Sequence, residues 1–163
     1  MIRWILLAVL WGLTFTAAAS QFGGETIREF DAQIEVRADG ALEVTETILV
    51  NAEGREIKRG IYRDFPLTFT DAGGKLHEVS FHLLEVTRDG KAEPHFTERK
   101  SGGVLRIYAG DKDVMLSTGD HTYVFRYRTA RQVRWFDGQP ELNWNVTGNF
   151  WNFPILSAVY RLE

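Results

Sequence analysis

Two stretches of this 163-residue chain concentrate side chains capable of polar chemistry. The first is Arg59-Gly60-Ile61-Tyr62-Arg63-Asp64-Phe65-Pro66, which holds two guanidinium groups, a phenol and a carboxylate. A guanidinium grips a carboxylate or phosphate through two parallel hydrogen bonds, so this is equipment for holding an anion. The anion can be internal. Glu46 stands in the run Leu42, Val44, Glu46, Ile48, Val50, where every other alternate residue is apolar. Burying an unpaired carboxylate costs on the order of several kcal/mol. On a regular strand Glu46 therefore requires a partner, and Arg59 and Arg63 are the candidates. One reading is a buried Glu46–arginine pair that fixes how two strands pack. Another is a polar pocket for a ligand carboxylate, phosphate or sugar hydroxyl. A third is a bulge that turns Glu46 outward.

The second stretch is Asn143-Trp144-Asn145-Val146-Thr147-Gly148-Asn149-Phe150-Trp151. Trp144, Asn145 and Trp151 are the residue types that stack on sugars and bind them through amides. The same pattern also describes a core strand through Leu142, Trp144 and Val146, closed by a turn that Asn side chains tie. Asn145-Val146-Thr147 matches a glycosylation sequon, which matters only in a eukaryotic secretory pathway.

Other constellations are weak. His77, His82, His95 and His121 form no metal-binding spacing, and read as surface or edge residues. Asp111-Lys112-Asp113 lacks the pattern of a calcium loop and reads as a solvated turn. Ser101-Gly102-Gly103 is a flexible turn, and Gly-x-Ser-x-Gly is absent. Glu93 and Glu98 fall in polar segments with no apolar context to tune an acid–base pair. With no cysteine there is no disulfide, thiolate nucleophile or Cys-based zinc site. Neither a catalytic residue, nor a metal, nor a cofactor is assigned from the sequence.

The elements that must position these residues are strands. Phe30, Ala32, Ile34 and Val36 alternate with polar residues, Asp39-Gly40 supplies a tight turn, and the alternation resumes at Leu42. Further strands are predicted over 60–65, 76–88, 104–108, 121–129, 141–146 and 155–162. The apolar face changes between Leu83 and Leu84, which predicts a bulge or bend. No segment after residue 19 keeps a helical period. Short strands between Gly and Asp turns predict an all-β, antiparallel β-sandwich, immunoglobulin-like or a related Greek key.

The first residues predict export. Arg3 precedes the apolar run Trp4–Phe15, and Ala17-Ala18-Ala19 offers a signal-peptidase site. The division is residues 1–19 as signal peptide, cleaved after Ala19, and 20–163 as one extracytoplasmic domain. The remaining length suits a single core. A net charge of -3 argues against nucleic acid as a partner. A sizeable exported domain without disulfides leans bacterial. The last predicted strand reaches the chain end, so the domain is expected to be the front part of a longer protein.

The ordered motifs carry a family resemblance. They run from Glu25-Thr26-Ile27, through Asp39-Gly40-x-Leu42-x-Val44-Thr45-Glu46 and Gly60-Ile61-Tyr62-Arg63-Asp64-Phe65-Pro66. Gly119-Asp120-His121-Thr122-Tyr123-Val124 and Leu142-x-Trp144-Asn145-Val146-Thr147-Gly148-Asn149-x-Trp151 follow. Together they resemble the extracytoplasmic amino-terminal domain of the YciQ-like predicted membrane proteins of bacteria. The resemblance implies transmembrane helices after this domain, hence attachment to the membrane through a C-terminal region. It transfers no catalytic residue.

The expectation is thus a non-enzymatic interaction domain, periplasmic or on the outer face of the cytoplasmic membrane, that meets another envelope or membrane protein. The candidate binding residues are Glu46, Arg59, Tyr62, Arg63, Asp64, Trp144, Asn145 and Trp151. A glycan-binding or glycan-hydrolysing envelope protein is the first alternative, and a structural spacer the second. A concave or apolar patch beside Trp144 and Trp151 would favour the interaction domain. Locking of Glu46 and Asp64 by arginines would remove the hydrolase's carboxylate pair.

Overall fold

The computed structural model describes residues 24–71, 73–136 and 138–163. The predicted signal peptide lies outside them. Among the described residues the regular elements are all strands. In chain order they are β1 Thr26–Val36, β2 Leu42–Ala52, β3 Gly60–Pro66, β4 Thr68–Thr70, β5 Leu76–Glu78, β6 Ser80–Arg88 and β7 Lys91–Ala92. There follow β8 His95–Lys100, β9 Val104–Gly110, β10 Gly119–Ala130, β11 Val133–Phe136, β12 Gln139–Leu142 and β13 Ala158–Leu162.

A six-stranded sheet runs in the order β13-β1-β2-β10-β6-β7, and a three-stranded sheet in the order β3-β9-β8. Two hairpins, β4–β5 and β11–β12, stand apart from both. Period-two patterning explains the central strands. In β2 every second residue from Leu42 to Ala52 is buried, and β10 buries His121, Tyr123, Phe125, Tyr127 and Thr129. The two main sheets share one core, with Ile61, Phe65, Ile107 and Ala109 of the smaller joining Phe30, Val44, Ile48, Phe125 and Tyr127 of the larger. Phe65 meets Tyr127 edge-on, with ring centroids 5.2 Å apart.

The β1–β2 hairpin forms around a turn in which Gly40 has φ +77°, a conformation that glycine adopts without strain. The predicted bulge exists. Glu85 pairs with Arg126 and Leu83 with Tyr127, which leaves Leu84 as the extra residue. A second bulge, at Arg28, places Ile27 and Phe30 both inward and has no counterpart in the sequence reading.

Other predicted segments shift. The 76–88 run breaks at Val79 into β5 and β6, and 141–146 is a strand only as far as Leu142. Pairing is antiparallel except at one edge, where β13 runs parallel to β1. A parallel neighbour needs a long return. Residues 143–157 provide it by crossing the end of the core, where Trp144, Val146, Trp151, Phe153 and Ile155 pack against it.

Candidate functional site

The polar cluster begins with Glu46 in the middle of the core face of β2, 0% exposed. Facing it, β3 turns Ile61, Arg63 and Phe65 to the core. Arg63 donates from Nε to Glu46 Oε2 at 2.7 Å and from Nη2 to Oε1 at 2.8 Å. Tyr127 donates its hydroxyl to Oε1 at 2.7 Å, and Arg63 Nη1 donates to the Asp64 carbonyl at 2.6 Å. Burial alone would lower the Arg63 pKa, but the Glu46 charge against it lifts it above the usual arginine value. Burial, then the same Glu46 charge, pushes the Tyr127 phenol well up, so it stays a donor.

Asp64 points to the other face of β3. Its register partner Arg106 donates to both carboxylate oxygens, each at 2.6 Å. The Arg106 guanidinium lies 3.9 Å from the centre of the Tyr62 ring, and the Asp64 hydrogen bonds raise its pKa. Arg59 precedes the strand, is exposed, and joins neither cluster. Of the sequence candidates, the fold brings Glu46 to Arg63 and Tyr62 to Asp64. It adds Tyr127 and Arg106, which the sequence reading missed because their cross-strand registers are non-local.

The Trp segment adjoins this cluster through Gly148. That glycine has φ +71°, and a Cβ there would overlap Arg63 Nη1. Asn145 accepts from Gly148 N at 3.2 Å and donates to Asn149 at 2.8 Å, the Asn-tied turn of the second sequence reading. Trp151 donates from Nε1 to the Thr147 carbonyl at 2.7 Å and meets Phe30 edge-on. Trp151 is therefore committed to packing. Trp144 packs beside Phe65, yet its buried Nε1 has no hydrogen-bond partner.

Beside Trp144 the surface is concave. A pocket of about 200 Å³ is lined by Arg63, Phe65, Arg134, Asn143, Trp144 and Asn149, among others. A larger cleft of about 1010 Å³ adjoins it, sharing Phe69, Arg134 and Asn143. The β4–β5 and β11–β12 hairpins form its walls. The Arg134 guanidinium lies 3.9 Å from the Phe69 ring centre, and the His77 ring stacks on Phe69 with centroids 5.0 Å apart. His77 in turn bonds Asp71 at 2.6 Å. Phe69 and Arg134 carried no distinguishing signal in the sequence, since each sits in a short strand with little pattern.

A Ser–His–Asp grouping lies at the far end of the core. His121 Nδ1 is 2.8 Å from Asp89, and Nε2 is 3.4 Å from the Ser117 hydroxyl. Yet Nε2 is also 2.8 Å from the Ser117 carbonyl, which can only accept. That nitrogen is a donor already engaged, so it has no lone pair to take the serine proton. His121 is a buried tie, correcting its reading as a surface or edge residue. Glu93 is likewise buried, 3.0 Å from Arg88, and not the solvated loop acid that the sequence indicated. Among the described residues no three potential ligands converge on a metal position.

Comparison with known proteins fits this architecture. The family model described as Predicted membrane protein (DUF2207) N-terminal domain matches residues 26–163. Uncharacterized protein YciQ of Escherichia coli (strain K12) is 34% identical over 139 residues, which is 85% of this chain. The chain spans 22% of that relative's length. Among solved structures, native leukotriene A4 hydrolase from Saccharomyces cerevisiae superposes with a TM-score of 0.51 at 16% identity, over 71% of this chain and 18% of that one. The yeast LTA4 hydrolase complex with bestatin gives 0.50 at 14%, with the same coverage. At such identities the likeness concerns the fold alone. Among the described residues no helix is long and apolar enough to cross a membrane.

Proposed function

We propose that this chain, which belongs to the DUF2207 family of predicted membrane proteins by its match over residues 26–163, is the extracytoplasmic interaction domain of such a protein. It serves as a binding module at the outer face of the membrane and is not an enzyme. The observation that carries this reading is the contrast between a closed polar cluster and an open cleft. Glu46 and Asp64 each hold an arginine through two hydrogen bonds, so neither is free for acid–base work. The concave surface lies beside Trp144, where an interaction domain requires one. A spacer needs no such cleft.

This chain contains no cysteine, so within it an introduced one is a unique label, and any cysteine elsewhere in the full-length protein is first replaced by serine. Ser101→Cys, introduced at an exposed turn in the full-length protein, is expected to react with a membrane-impermeant maleimide in intact spheroplasts. The purified protein is expected to release no soluble fragments from cell-wall glycan. Protection of Ser101→Cys until the membrane is broken would overturn the location. Glycan release abolished by Asp64→Asn would overturn the non-catalytic role.

A further inference from the structure

The pocket beside Trp144 has an electrostatic character that its neighbours lack. Its charged lining residues are Arg63 and Arg134, with no carboxylate among them. The charge of Arg63 is cancelled by Glu46 behind it. Arg134 has no carboxylate within ion-pair distance and no hydrogen-bond partner among the described residues. Its Nε is buried and unsatisfied, and so is Trp144 Nε1 in the same wall. The cross-strand neighbour of Arg134, Glu141, forms no ion pair with it, so Arg134 gives the carboxylate-free pocket a positive charge that calls for an acceptor carrying one negative charge. The adjoining cleft differs: exposed Glu78 and Glu141 line it together with Arg131. Asp71 there is already engaged by His77 and by the backbone of Gly73 and Lys75.

We infer that the paired cavities bind a peptide through its free carboxylate, held at Arg134 and Asn143 in the smaller pocket, with a cationic group of the same peptide in the larger cleft facing Glu78 and Glu141. The small volume suits a terminal residue, and the single uncancelled charge suits a carboxylate better than a phosphate dianion. Asn143, which lines both cavities, offers an amide at the junction where a peptide bond would pass. This inference rests on the interaction-domain reading above and supplies its ligand class.

The test is isothermal titration of the full-length protein in nanodiscs with the tripeptide Lys-Ala-Ala. Saturable binding is expected, weakened about tenfold or more when the peptide is amidated at its C-terminus. Arg134→Gln is expected to weaken binding to a similar degree, and Arg134→Lys to recover part of it. Equal binding of the free and amidated peptides would overturn the inference, and that comparison stands even if Arg134→Gln does not fold. Binding of glycerophosphoglycerol without binding of the tripeptide would replace the carboxylate with a phosphodiester and overturn the peptide assignment. No binding of either probe would also overturn it. None of these failures touches the location or the non-catalytic role, which the maleimide and glycan-release measurements decide separately.

Discussion

At the residue scale the decisive fact is that Glu46 is fully buried and fully partnered. Removing one member of such a pair leaves the other as an uncompensated buried charge. Glu46→Ala is therefore expected to cost about 3–5 kcal/mol, read from chemical denaturation. Replacing Glu46 and Arg63 together by apolar residues of similar volume is expected to cost less than Glu46→Ala alone. A Glu46→Ala variant as stable as wild type would mean that the pair carries no structural load. Glu25 makes a second anchor. It accepts from the backbone N–H groups of Glu53 and Arg55 through one oxygen, and of Glu56 and Ile57 through the other. Burial pushes its pKa up, but the four N–H groups outweigh that and hold it below the ordinary glutamate value. The hydrogen bond from His77, then backbone bonds, lower Asp71 as well. A depressed folded-state value gives stability that is complete above the ordinary carboxylate range, near about pH 4, and lost as pH falls through the folded value. Melting temperatures are thus expected to hold between about pH 5 and 7 and to drop below about pH 4. Glu25→Gln is expected to cost about 2 kcal/mol at neutral pH and to flatten part of that acid limb.

At the element scale, what the sequence revealed tracks the range of the interaction. The β1–β2 hairpin, the all-β class and the bulge at Leu84 were legible, because alternation and turn residues are local signals. The need of Glu46 for an arginine was legible for the same reason. Parity could not choose between Arg63 and Arg59, which fall on the same alternate positions as Ile61 and Phe65; what separates them is that the strand starts at Gly60, after Arg59. Strand β8, His95–Lys100, escaped notice because its exposed polar sequence lacks alternation. Arg106, Tyr127 and the parallel β13 edge depend on registers set by distant residues, which one sequence does not display. Within the return segment 143–157 the Asn-tied turn was legible, but the strand expected through Val146 stops at Leu142, and the docking on Arg63 through Gly148 was invisible. That contact predicts a graded result. Gly148→Ala adds steric overlap with Arg63 to the backbone strain and is expected to cost roughly 2 kcal/mol or more. Gly40→Ala has similar strain and open space, and is expected to cost nearer about 1 kcal/mol. Equal denaturation midpoints for the two variants would separate Gly148 from the buried pair.

At the scale of the whole molecule, the structure divides its polar groups into two populations. One is saturated: Glu46–Arg63–Tyr127 in the core, with Asp64–Arg106 and Asp89–His121 nearer the surface, ties strands together through paired groups. The other surrounds the cleft between the two small hairpins and the smaller pocket adjoining it, where Arg134 and Trp144 carry N–H groups without partners. Buried groups without hydrogen-bond partners also occur at Tyr123 and Arg88, but Arg88 faces Glu93 and the Tyr123 hydroxyl is closed within the core, whereas Arg134 and Trp144 line an open cavity. The most direct measurement is a cysteine footprint of the full-length protein, comparing Val133→Cys in the cleft with Ser101→Cys on the remote turn. The account predicts that Val133→Cys reacts more slowly with an impermeant maleimide, relative to Ser101→Cys, in spheroplasts than in the purified protein, because its natural partner covers the cleft. The same ratio of rates in both settings would contradict it.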